Sequence, residues 1–469
     1  MSWQVSRYTH VLPVPDGGIV YNGRTGAIAE LSPDGFEQTN SLLEKVRQRS
    51  RLRLSPARRE LFEQLRVGGF IVPAGLDELA VIEEQYERER RRSQFQFTIL
   101  PTFACNLGCD YCFVGKKKGF MTEETQDRLI AFARDHIAAH RPPSMHVDWF
   151  GGEPLLALPV IERLSGALLA LCDAHEVSYQ SQVITNGTVI GQRTADVLAK
   201  ARVNRLQISL DGLPEVHDLR RPYKSGRGSS FAAIVNSLPA VIGRFLIRLR
   251  INVDGRNLHQ VWPLMDLFGE RGWLGPDTQF FPYLARVSAF TDACAGSSPM
   301  ICRQDEFYEV QFRWMERLEQ YGVPLIEQGL YQFPEAKMYS CGAVGSNGFV
   351  FTPEGEIHKC GLEVDDSSRA IGHLGAPLDG STATARRFAG YSPFRNATCR
   401  ECSFLPTCLG GCPRDQLDRR VPQLKDNCEY YQQYEHQLLR FHLGHRSELR
   451  LSEVPLPLPA SATLFPILS

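Results

Sequence analysis

Apolar and polar positions alternate differently in three parts of the chain. Before about residue 92, alternating runs between residues 10 and 31 predict short strands, and the patterns at 36–49 and 57–67 predict helices. The charged stretch 83–92 (EEQYERERRR) has almost no apolar stripe and is interpreted as a solvated helical linker. These patterns predict a small α+β unit over residues 1–92.

Between residues 93 and 334, short β-rich runs alternate with longer helical patterns. This rhythm is typical of βα units and predicts a parallel sheet covered by helices. Six such runs are too few for a complete eight-stranded barrel, so we expect an α/β fold with a partial (β/α)6 TIM-like barrel. The predicted strands lie at 95–100, 145–150, 178–185, 205–210, 248–253 and 278–284.

The remaining part of the chain loses this periodicity. Short turns rich in Gly, Pro and Cys follow residue 335, and one helical pattern returns at 428–443. We interpret residues 335–445 as a Cys-rich, metal-stapled domain and residues 446–469, rich in Pro and Leu, as a tail.

Composition narrows the class of protein. The 469 residues carry 52 basic and 53 acidic side chains, so no overall field favours nucleic acid or an anionic membrane, and neither is expected as a partner. The N-terminus lacks the pattern of a signal peptide, and the sequence is interpreted as having no apolar run of about 18 residues. We therefore expect a cytoplasmic protein, in which 13 cysteines indicate metal or redox work rather than disulfides.

Three cysteines follow the first predicted barrel strand at CxxxCxxC spacing: Cys105, Cys109 and Cys112. An iron-sulfur cube normally takes four cysteines, so three leave one iron open for an outside ligand. A zinc site or three unrelated thiols is the alternative. The spacing, with the aromatic Tyr111 before the last cysteine, resembles the signature of the radical SAM superfamily.

The resemblance extends to motifs after the following strands. They are GGEP at 151–154, TNG at 185–187, SLDG at 209–212 and HDLRR at 217–221. In that family GGEP binds the amino group of the methionine moiety of S-adenosyl-L-methionine, and the polar residues lie near its ribose and carboxylate. The alternative for GGEP is a tight βα turn without a ligand, and the alternative for Arg221 is a surface arginine. The implied cofactor-binding residues are Gly151, Gly152, Glu153, Thr185, Asn186, Ser209, Asp211 and Arg221.

Seven later cysteines form a second group: Cys341, Cys360, Cys399, Cys402, Cys408, Cys412 and Cys428. Their spacing resembles the SPASM domain, which holds two auxiliary 4Fe-4S clusters. The resemblance implies one cluster on Cys399, Cys402, Cys408 and Cys428. The other would use Cys341, Cys360 and Cys412, completed by Cys302, by Cys294 or by an open iron. Structural zinc sites are the alternative.

The resemblance implies a reaction. Reductive cleavage of S-adenosyl-L-methionine gives a 5'-deoxyadenosyl radical, which abstracts hydrogen from a substrate in the dry cavity of the partial barrel. The main hypothesis is a maturase that forms a C–C, thioether or ether crosslink in a ribosomally made precursor peptide. A second is a maturase that oxidises a protein side chain to formylglycine or a quinone; sulfatase-maturing relatives have an acidic residue where Gly361 follows Cys360. A third is a non-catalytic iron-sulfur or zinc-stapled binding protein.

Two partners follow from the same resemblance. Residues 1–92 resemble the winged-helix module that captures the leader of a precursor peptide by adding it to a sheet edge, and the basic residues in 45–59 suit an acidic leader. A solvated helix surface is the alternative, and the same fold class also binds DNA. Residues 116–118, three lysines beside the first cluster, suit an electron donor such as flavodoxin or ferredoxin.

Overall fold

The structure is a computed structural model. It describes residues 2–48, 55–92, 94–114, 117–289, 296, 299–325, 336–378, 380–418 and 424–445. The predicted tail at 446–469, Lys116 and Cys294 lie outside these residues. The chain divides into two compact units. Unit 1 comprises Met1–Arg91, Tyr331–Val344 and Gly390–Ile467, and unit 2 comprises Arg92–Leu330, Gly345–Ala389 and Leu468–Ser469.

Unit 1 begins with two small antiparallel sheets and three helices. The strands are β1 (Trp3–Val5), β2 (Thr9–Val14), β3 (Gly17–Asn22), β4 (Ile28–Leu31) and β5 (Ile71–Pro73). The helices are α1 (Pro33–Arg47), α2 (Pro56–Val67) and α3 (Glu78–Arg91). Strand β1 pairs with β5, and β3 lies between β2 and β4. Ser32 and Ser55 cap α1 and α2 directly before a proline, which is a favourable helix start.

The linker at 83–92 was expected to be helical and solvated; residues 83–91 are helical, and Tyr86 is the one residue among them that is buried. These residues belong to α3, whose apolar stripe of Leu79, Ile82 and Tyr86 is buried. The ring of Tyr86 lies 5.6 Å from that of Phe394. Leu79 and Ile82 precede residue 83. The stretch 83–92 taken alone therefore contains only Tyr86 from this apolar stripe, which is why the stripe was not recognised in the sequence.

The same unit contains the second cysteine group apart from Cys360. Its later helices are α12 (Ala397–Glu401), α13 (Leu405–Cys408), α14 (Pro413–Leu417) and α15 (Leu424–His445). His10 of β2 forms an ion pair with Glu435 of α15 at 2.6 Å, and its ring lies 4.6 Å from Phe404. The N-terminal strands and the cysteine-bearing helices therefore pack together as one body.

Unit 2 is built on a nine-stranded sheet. The predicted strands are confirmed as β6 (Phe95–Ile99), β7 (Ser144–Trp149), β8 (Ser178–Thr185), β9 (Val203–Ser209), β10 (Leu246–Val253) and β11 (Phe280–Arg286). Each is parallel to its neighbours in this order. Three strands that the sequence pattern does not predict extend the sheet beyond β6. They are β12 (Gly348–Phe351), parallel to β6, and the antiparallel β13 (Glu356–His358) and β14 (Gly372–His373).

Helices connect the parallel strands. They are α4 (Glu123–His140), α5 (Leu158–Ala174), α6 (Gln192–Lys200), α7 (Pro214–Arg220), α8 (Ser230–Ser237) and α9 (Val261–Glu270), followed by α10 (Gln304–Gln320) and α11 (Ala383–Ala389). On β9, Leu206 and Ile208 are buried, whereas Arg205, Gln207 and Ser209 alternate with them on the opposite side. We call this opposite side the inner face. On β9 this face is polar.

One helical segment, Pro154–Ala174, is long and apolar enough by composition to cross a membrane. Glu162 and Arg163 interrupt this segment, so it is not the unbroken apolar run that the sequence was expected to lack. In the structure it is a 3-10 turn followed by α5, which packs against α4, α6 and β8. Its residues Ile161, Leu164 and Leu168 are fully buried, and a core helix of this kind meets the same length and composition criteria.

Candidate active site

The first three cysteines lie on the loop between β6 and α4, at the edge of the sheet where the parallel strands end. Two backbone hydrogen bonds fix this loop: Gly108 N–H donates to Pro222 O over 2.8 Å, and Phe103 N–H donates to Gly119 O over 3.1 Å. We call residues 100–122 the cysteine loop. The first bond ties it to the segment after α7, and the second closes the loop on itself.

The thiols of Cys105, Cys109 and Cys112 lie within electrostatic reach of one another. Burial raises the pKa of Cys109 to about 12, and the two other thiols raise it further, whereas Arg221 opposes the shift. Without metal, these thiols are therefore neutral. Metal binding replaces such protons, and the donor set of three neighbouring sulfurs fits an iron-sulfur cluster with one open iron.

The GGEP turn after β7 presses on the cysteine loop. Gly151 has φ +126°, and a Cβ at this position would lie 2.4 Å from Thr102 O. A Cβ on Gly152 would lie 2.4 Å from both Phe103 O and Ala104 O. Such an approach is closed to any residue with a side chain. The two glycines are thus required by backbone contact between the two loops.

Glu153 is fully buried and joins the turn to the end of β8. Its carboxylate accepts hydrogen bonds from Thr185 Oγ1 at 2.7 Å, Asn186 N at 2.6 Å and Leu155 N at 3.0 Å. Burial raises its pKa, which these bonds oppose. The structure therefore brings together three of the predicted cofactor-binding residues, Glu153, Thr185 and Asn186.

Asn186 connects this group to the cysteines. Its Nδ2 lies 3.7 Å from Cys105 Sγ and 2.8 Å from Asn106 Oδ1. Asn106 was not predicted, although it follows the first cysteine directly and donates to Thr188 at 2.8 Å.

A second group surrounds the hydroxyl of Tyr111. Arg221 NH1 donates to it over 2.5 Å, Asn252 Nδ2 over 3.2 Å, and the hydroxyl itself donates to Asp211. Asp211 also accepts from Asn252 N at 2.9 Å and is 0% exposed. Burial acts to raise the pKa of Asp211, but the nearby guanidinium of Arg221 and that of Arg220 hold it below its ordinary value. Asp211 and Arg221 are thus placed to orient the cysteine loop.

Ser209 ends β9 on the inner face, level with Arg250 of β10. The first two residues of the HDLRR motif, His217 and Asp218, form hydrogen bonds with backbone N–H groups of the chain. His217 Nδ1 accepts from Asp211 N at 3.0 Å, and Asp218 accepts from Phe231 N at 2.8 Å. The predicted residues therefore fall into two hydrogen-bonded groups, with Ser209 beside them.

Sequence reasoning missed Asn252 and the pair Arg220–Asp254, which is 2.6 Å apart and buried. Asn252 lies near the end of β10, as Ser209 ends β9. Asn252 could have been found in the sequence as a polar residue near the end of a predicted barrel strand.

In unit 1, four of the later cysteines approach one another. Burial raises the pKa of Cys399 to about 11, and Cys408, Cys428 and Cys402 raise it further. Lys337 lies beside Cys408 and lowers the pKa of that thiol, opposing the larger effect of burial. These are the four cysteines to which one predicted cluster was assigned.

The ligands predicted for the other cluster divide between the units. Cys412 and Cys341 interact within unit 1, where burial raises the pKa of Cys412 to about 12. Cys360 belongs to unit 2 and precedes a 3-10 turn, Gly361–Glu363. Cys302 is buried beside Arg286. Among the described residues, no three His, Cys, Asp or Glu side chains converge closely enough to hold a single metal ion.

Residues 99–267 match the family model described as the Radical SAM superfamily. The serine-type anaerobic sulfatase-maturating enzyme of Klebsiella aerogenes is 26% identical over 326 residues, covering 66% of this chain and 77% of the relative. The cysteine-type enzyme of Clostridium perfringens (strain 13 / Type A) is 23% identical over 357 residues, covering 70% and 92%.

Two solved structures share the fold. Histidine-tagged anSMEcpe with bound AdoMet has a TM-score of 0.59 at 19% identity, covering 77% of this chain and 98% of that one. Streptococcus suis SuiB bound to S-adenosylmethionine has a TM-score of 0.50 at 14% identity, covering 89% and 97%.

The three-thiol loop and the glycine turn pressed against it lie within residues 99–267, the part of the chain that matches this family, so the chain contains a radical SAM domain. Within that class, about two thirds of its length is related in sequence to the anaerobic sulfatase-maturating enzymes.

Proposed function

We propose that this enzyme is a peptide maturase that forms a C–C, thioether or ether crosslink in a ribosomally made precursor peptide. The observation that carries the chemistry is the placement of three mutually interacting thiols on the loop against which the GGEP turn packs. When bound, a 4Fe-4S cluster and S-adenosyl-L-methionine would supply one-electron reduction and a 5'-deoxyadenosyl radical.

The chain's own residues have separate tasks in this proposal. Cys105, Cys109 and Cys112 hold the cluster and leave one iron open. Gly151 and Gly152 bring the backbone of the GGEP turn against the loop that would hold the cluster. Ser209, at the end of β9, is assigned to cofactor binding on the inner face.

Glu153, Thr185 and Asn186 form a rigid hydrogen-bonded patch beside Cys105, suited to polar groups of the cofactor. Asp211 and Arg221 hold Tyr111, and with it the segment between the second and third cysteines. These two act by positioning, because their polar groups are already engaged with the chain.

The later cysteines are assigned to two auxiliary 4Fe-4S clusters. Lys337 beside Cys408 supplies positive charge that favours the thiolate form required for iron binding. The ligand sets are Cys399, Cys402, Cys408 and Cys428 for one cluster, and Cys341, Cys360 and Cys412 for the other.

The N-terminal module is assigned to leader binding. Strands β2 and β4 are the edges of its three-stranded sheet. A cleft of about 360 Å³ beside β1 is lined by Arg7 and by Arg47 from the basic stretch 45–59. An acidic peptide would gain both a strand partner and charge complementarity there.

A second candidate is oxidation of a protein side chain, favoured by the sulfatase-maturating relatives. Gly361 has no side chain that could act as the base in such an oxidation. Asp365, however, lies close enough to Cys112 to raise the pKa of its thiol. Although Cys112 is partly exposed, burial raises the pKa of its thiol and the Asp365 carboxylate raises it further. Asp365 is thus one of the acidic groups near the first cluster, with Glu153 and Asp211.

We place the enzyme in the cytoplasm, with flavodoxin or ferredoxin as the electron donor. Of the three lysines proposed to guide it, Lys117 contacts its own chain, donating to Val364 O at 3.3 Å. Lys118 is exposed and remains the better candidate for a donor contact.

The deciding experiment measures iron, sulfide and 5'-deoxyadenosine in anaerobically purified, dithionite-reduced protein. Three cubes predict about twelve irons per chain. A variant combining Cys105→Ala, Cys109→Ala and Cys112→Ala should keep about eight irons and lose cleavage. Zinc in place of iron, or undiminished cleavage, would overturn the proposal. Precursor-peptide libraries and a sulfatase peptide, compared by mass spectrometry, then separate crosslinking from oxidation.

A further inference from the structure

Tyr391 of unit 1 has a buried hydroxyl that has no hydrogen-bond partner within the described part of the chain. The residue is 6% exposed, and its backbone carbonyl accepts a hydrogen bond from Arg90 NH1 of α3 at 2.9 Å. Burial raises the pKa of Tyr391 above its ordinary value, so the hydroxyl keeps its proton at neutral pH. A buried donor without an acceptor is unfavourable, so the position of this hydroxyl calls for an explanation.

The hydroxyl lies against the turn that carries two of the predicted cluster ligands. This turn runs from Cys408 to Cys412, and Gly410 within it has φ +80°. A Cβ on Gly410 would lie 2.5 Å from Tyr391 Oη, so only glycine leaves the hydroxyl its place. The backbone of Gly410 also forms a hydrogen bond with the thiol of Cys408. One residue of the turn therefore contacts both the hydroxyl and a ligand sulfur.

Cysteines assigned to both auxiliary clusters surround the hydroxyl. After burial and Tyr86, the groups that raise the pKa of Tyr391 are Cys399, Cys408 and Cys412, in that order. The first two thiols belong to the cluster assigned to Cys399, Cys402, Cys408 and Cys428, which we call the four-cysteine cluster. The hydroxyl is therefore directed mainly at the site of this cluster.

A hydrogen-bond donor beside an iron-sulfur cluster changes the reduction potential of that cluster. One-electron reduction adds a negative charge to the cube, and its sulfurs then become better acceptors. An O–H group that donates to one of these sulfurs stabilises the reduced form more than the oxidised form, because hydrogen bonds to charged groups are the stronger ones. Such a donor therefore raises the reduction potential.

We propose that Tyr391 donates a hydrogen bond to a sulfur of the four-cysteine cluster and thereby raises the reduction potential of that cluster. The inference rests on the proposed function in taking this site to hold a 4Fe-4S cluster. It gives the unpartnered hydroxyl an acceptor, and it explains why glycine stands at position 410.

The consequence concerns the electron that the peptide loses. When a crosslink forms, one hydrogen leaves as an atom to the 5'-deoxyadenosyl radical, and a second leaves as a proton to solvent and an electron. Loss of this electron oxidises the peptide radical as the new bond forms, and the electron reduces a cluster by one unit. A cluster with a raised potential is the favoured acceptor, so Tyr391 directs the electron to the four-cysteine cluster.

The test is an anaerobic potentiometric titration followed by electron paramagnetic resonance. A background with Cys105→Ala, Cys109→Ala and Cys112→Ala retains the two auxiliary clusters, and Cys341→Ser in that background identifies the signal of the other cluster. Tyr391→Phe should lower the midpoint potential of the four-cysteine cluster by about 59 mV, which is tenfold in its reduction equilibrium. A change of less than about twofold, or a change confined to the signal that Cys341→Ser alters, would overturn the proposal.

Two further proteins separate the hydrogen bond from a general effect on stability. Tyr8→Phe removes another buried hydroxyl of unit 1, on which burial and charged side chains act rather than thiols, and it should leave both potentials unchanged. 3-Fluorotyrosine in place of Tyr391 keeps the ring and makes the hydroxyl a stronger donor, so it should raise the potential. This protein decides the case if Tyr391→Phe fails to hold iron. An equal shift in Tyr8→Phe, or no rise with 3-fluorotyrosine, contradicts the assignment.

Metal content distinguishes failure of this inference from failure of the proposed function. About eight irons per chain in the triple Ala background show that both auxiliary clusters are present. Zinc in their place would overturn the proposed function and this inference with it. Eight irons with the same potentials in wild type and Tyr391→Phe would overturn the inference alone.

Discussion

Removing one oxygen atom from the cysteine loop tests whether the loop is positioned as described. Tyr111→Phe deletes a buried hydroxyl that donates to Asp211 and accepts from Arg221 and Asn252. Two of these partners are ionised, and hydrogen bonds to charged groups contribute about 1.5–3 kcal/mol each. Asp211 keeps its bond from Asn252 N at 2.9 Å, which reduces the loss. We expect unit 2 to lose about 2–4 kcal/mol of unfolding free energy.

The assay is anaerobic thermal unfolding together with iron content. A loss of that size should lower the Tm by about 5 °C or more. Iron retention should fall as well, because Tyr111 stands between Cys109 and Cys112 and fixes their separation. Formation of 5'-deoxyadenosine should decrease in proportion to the iron lost from this site.

The matched control is Tyr8→Phe in unit 1. The hydroxyl of Tyr8 is buried, and within the described part of the chain it has no hydrogen-bond partner. Its removal should therefore change the Tm by less than about 1 °C. If both variants melt together and retain the same iron, the network around Tyr111 does not stabilise the loop and the reasoning is refuted.

Three further predictions follow. Gly152→Ala should abolish most cofactor cleavage, since its Cβ would collide with two backbone carbonyls, whereas Gly166→Ala in α5 meets nothing within 4 Å and should leave cleavage unchanged; comparable activities would contradict the close contact. Glu153→Gln places an amide N–H against Asn186 N–H and should weaken S-adenosyl-L-methionine binding about tenfold by calorimetry, unlike the exposed Glu162→Gln. Burial lowers the pKa of His136 to about 4, so the unfolded chain binds a proton below about pH 6.5 where the folded chain does not. Stability is then lost as pH falls from about 6.5 toward 4, and His136→Phe should show a smaller Tm decrease between pH 7 and 5; parallel decreases would exclude this role.

The barrel strands could be predicted because each has a strong local pattern bounded by turns. On β10, Leu246–Val253, apolar residues alternate with Arg248 and Arg250 in a period of two. Strands β12 to β14 could not be predicted, since they have two to four residues each and are stabilised by pairing with distant segments. The alternation on β10 does not by itself tell which face of the sheet Arg248 and Arg250 occupy. The pairing register of β10 with β9 shows that they share a face with Arg205.

The part of the candidate site that could be predicted is the part formed by short motifs, in which the spacing of residues along the chain indicates their function. The three cysteines and GGEP are contiguous motifs, and their residues lie together. The partners of Tyr111 are different, since Asn252 lies 141 residues away and nothing local marks it as a partner of a tyrosine. For Asp211, only the structure shows that its carboxylate accepts hydrogen bonds from Tyr111 and Asn252.

The pairing of β12 with β6 has a consequence for how the enzyme is made. Residue 351 leaves the ribosome about 250 residues after β6, which takes roughly ten to fifty seconds at usual synthesis rates. Throughout that interval one edge of β6, the strand that leads into the cysteine loop, has no neighbour and is open to misassociation. The nascent chain would therefore need shielding until synthesis is nearly complete, and insertion of the first cluster would be a late, largely post-translational event. Expression at low temperature with chaperones, under anaerobic conditions, should raise the yield of loaded enzyme more than added iron alone.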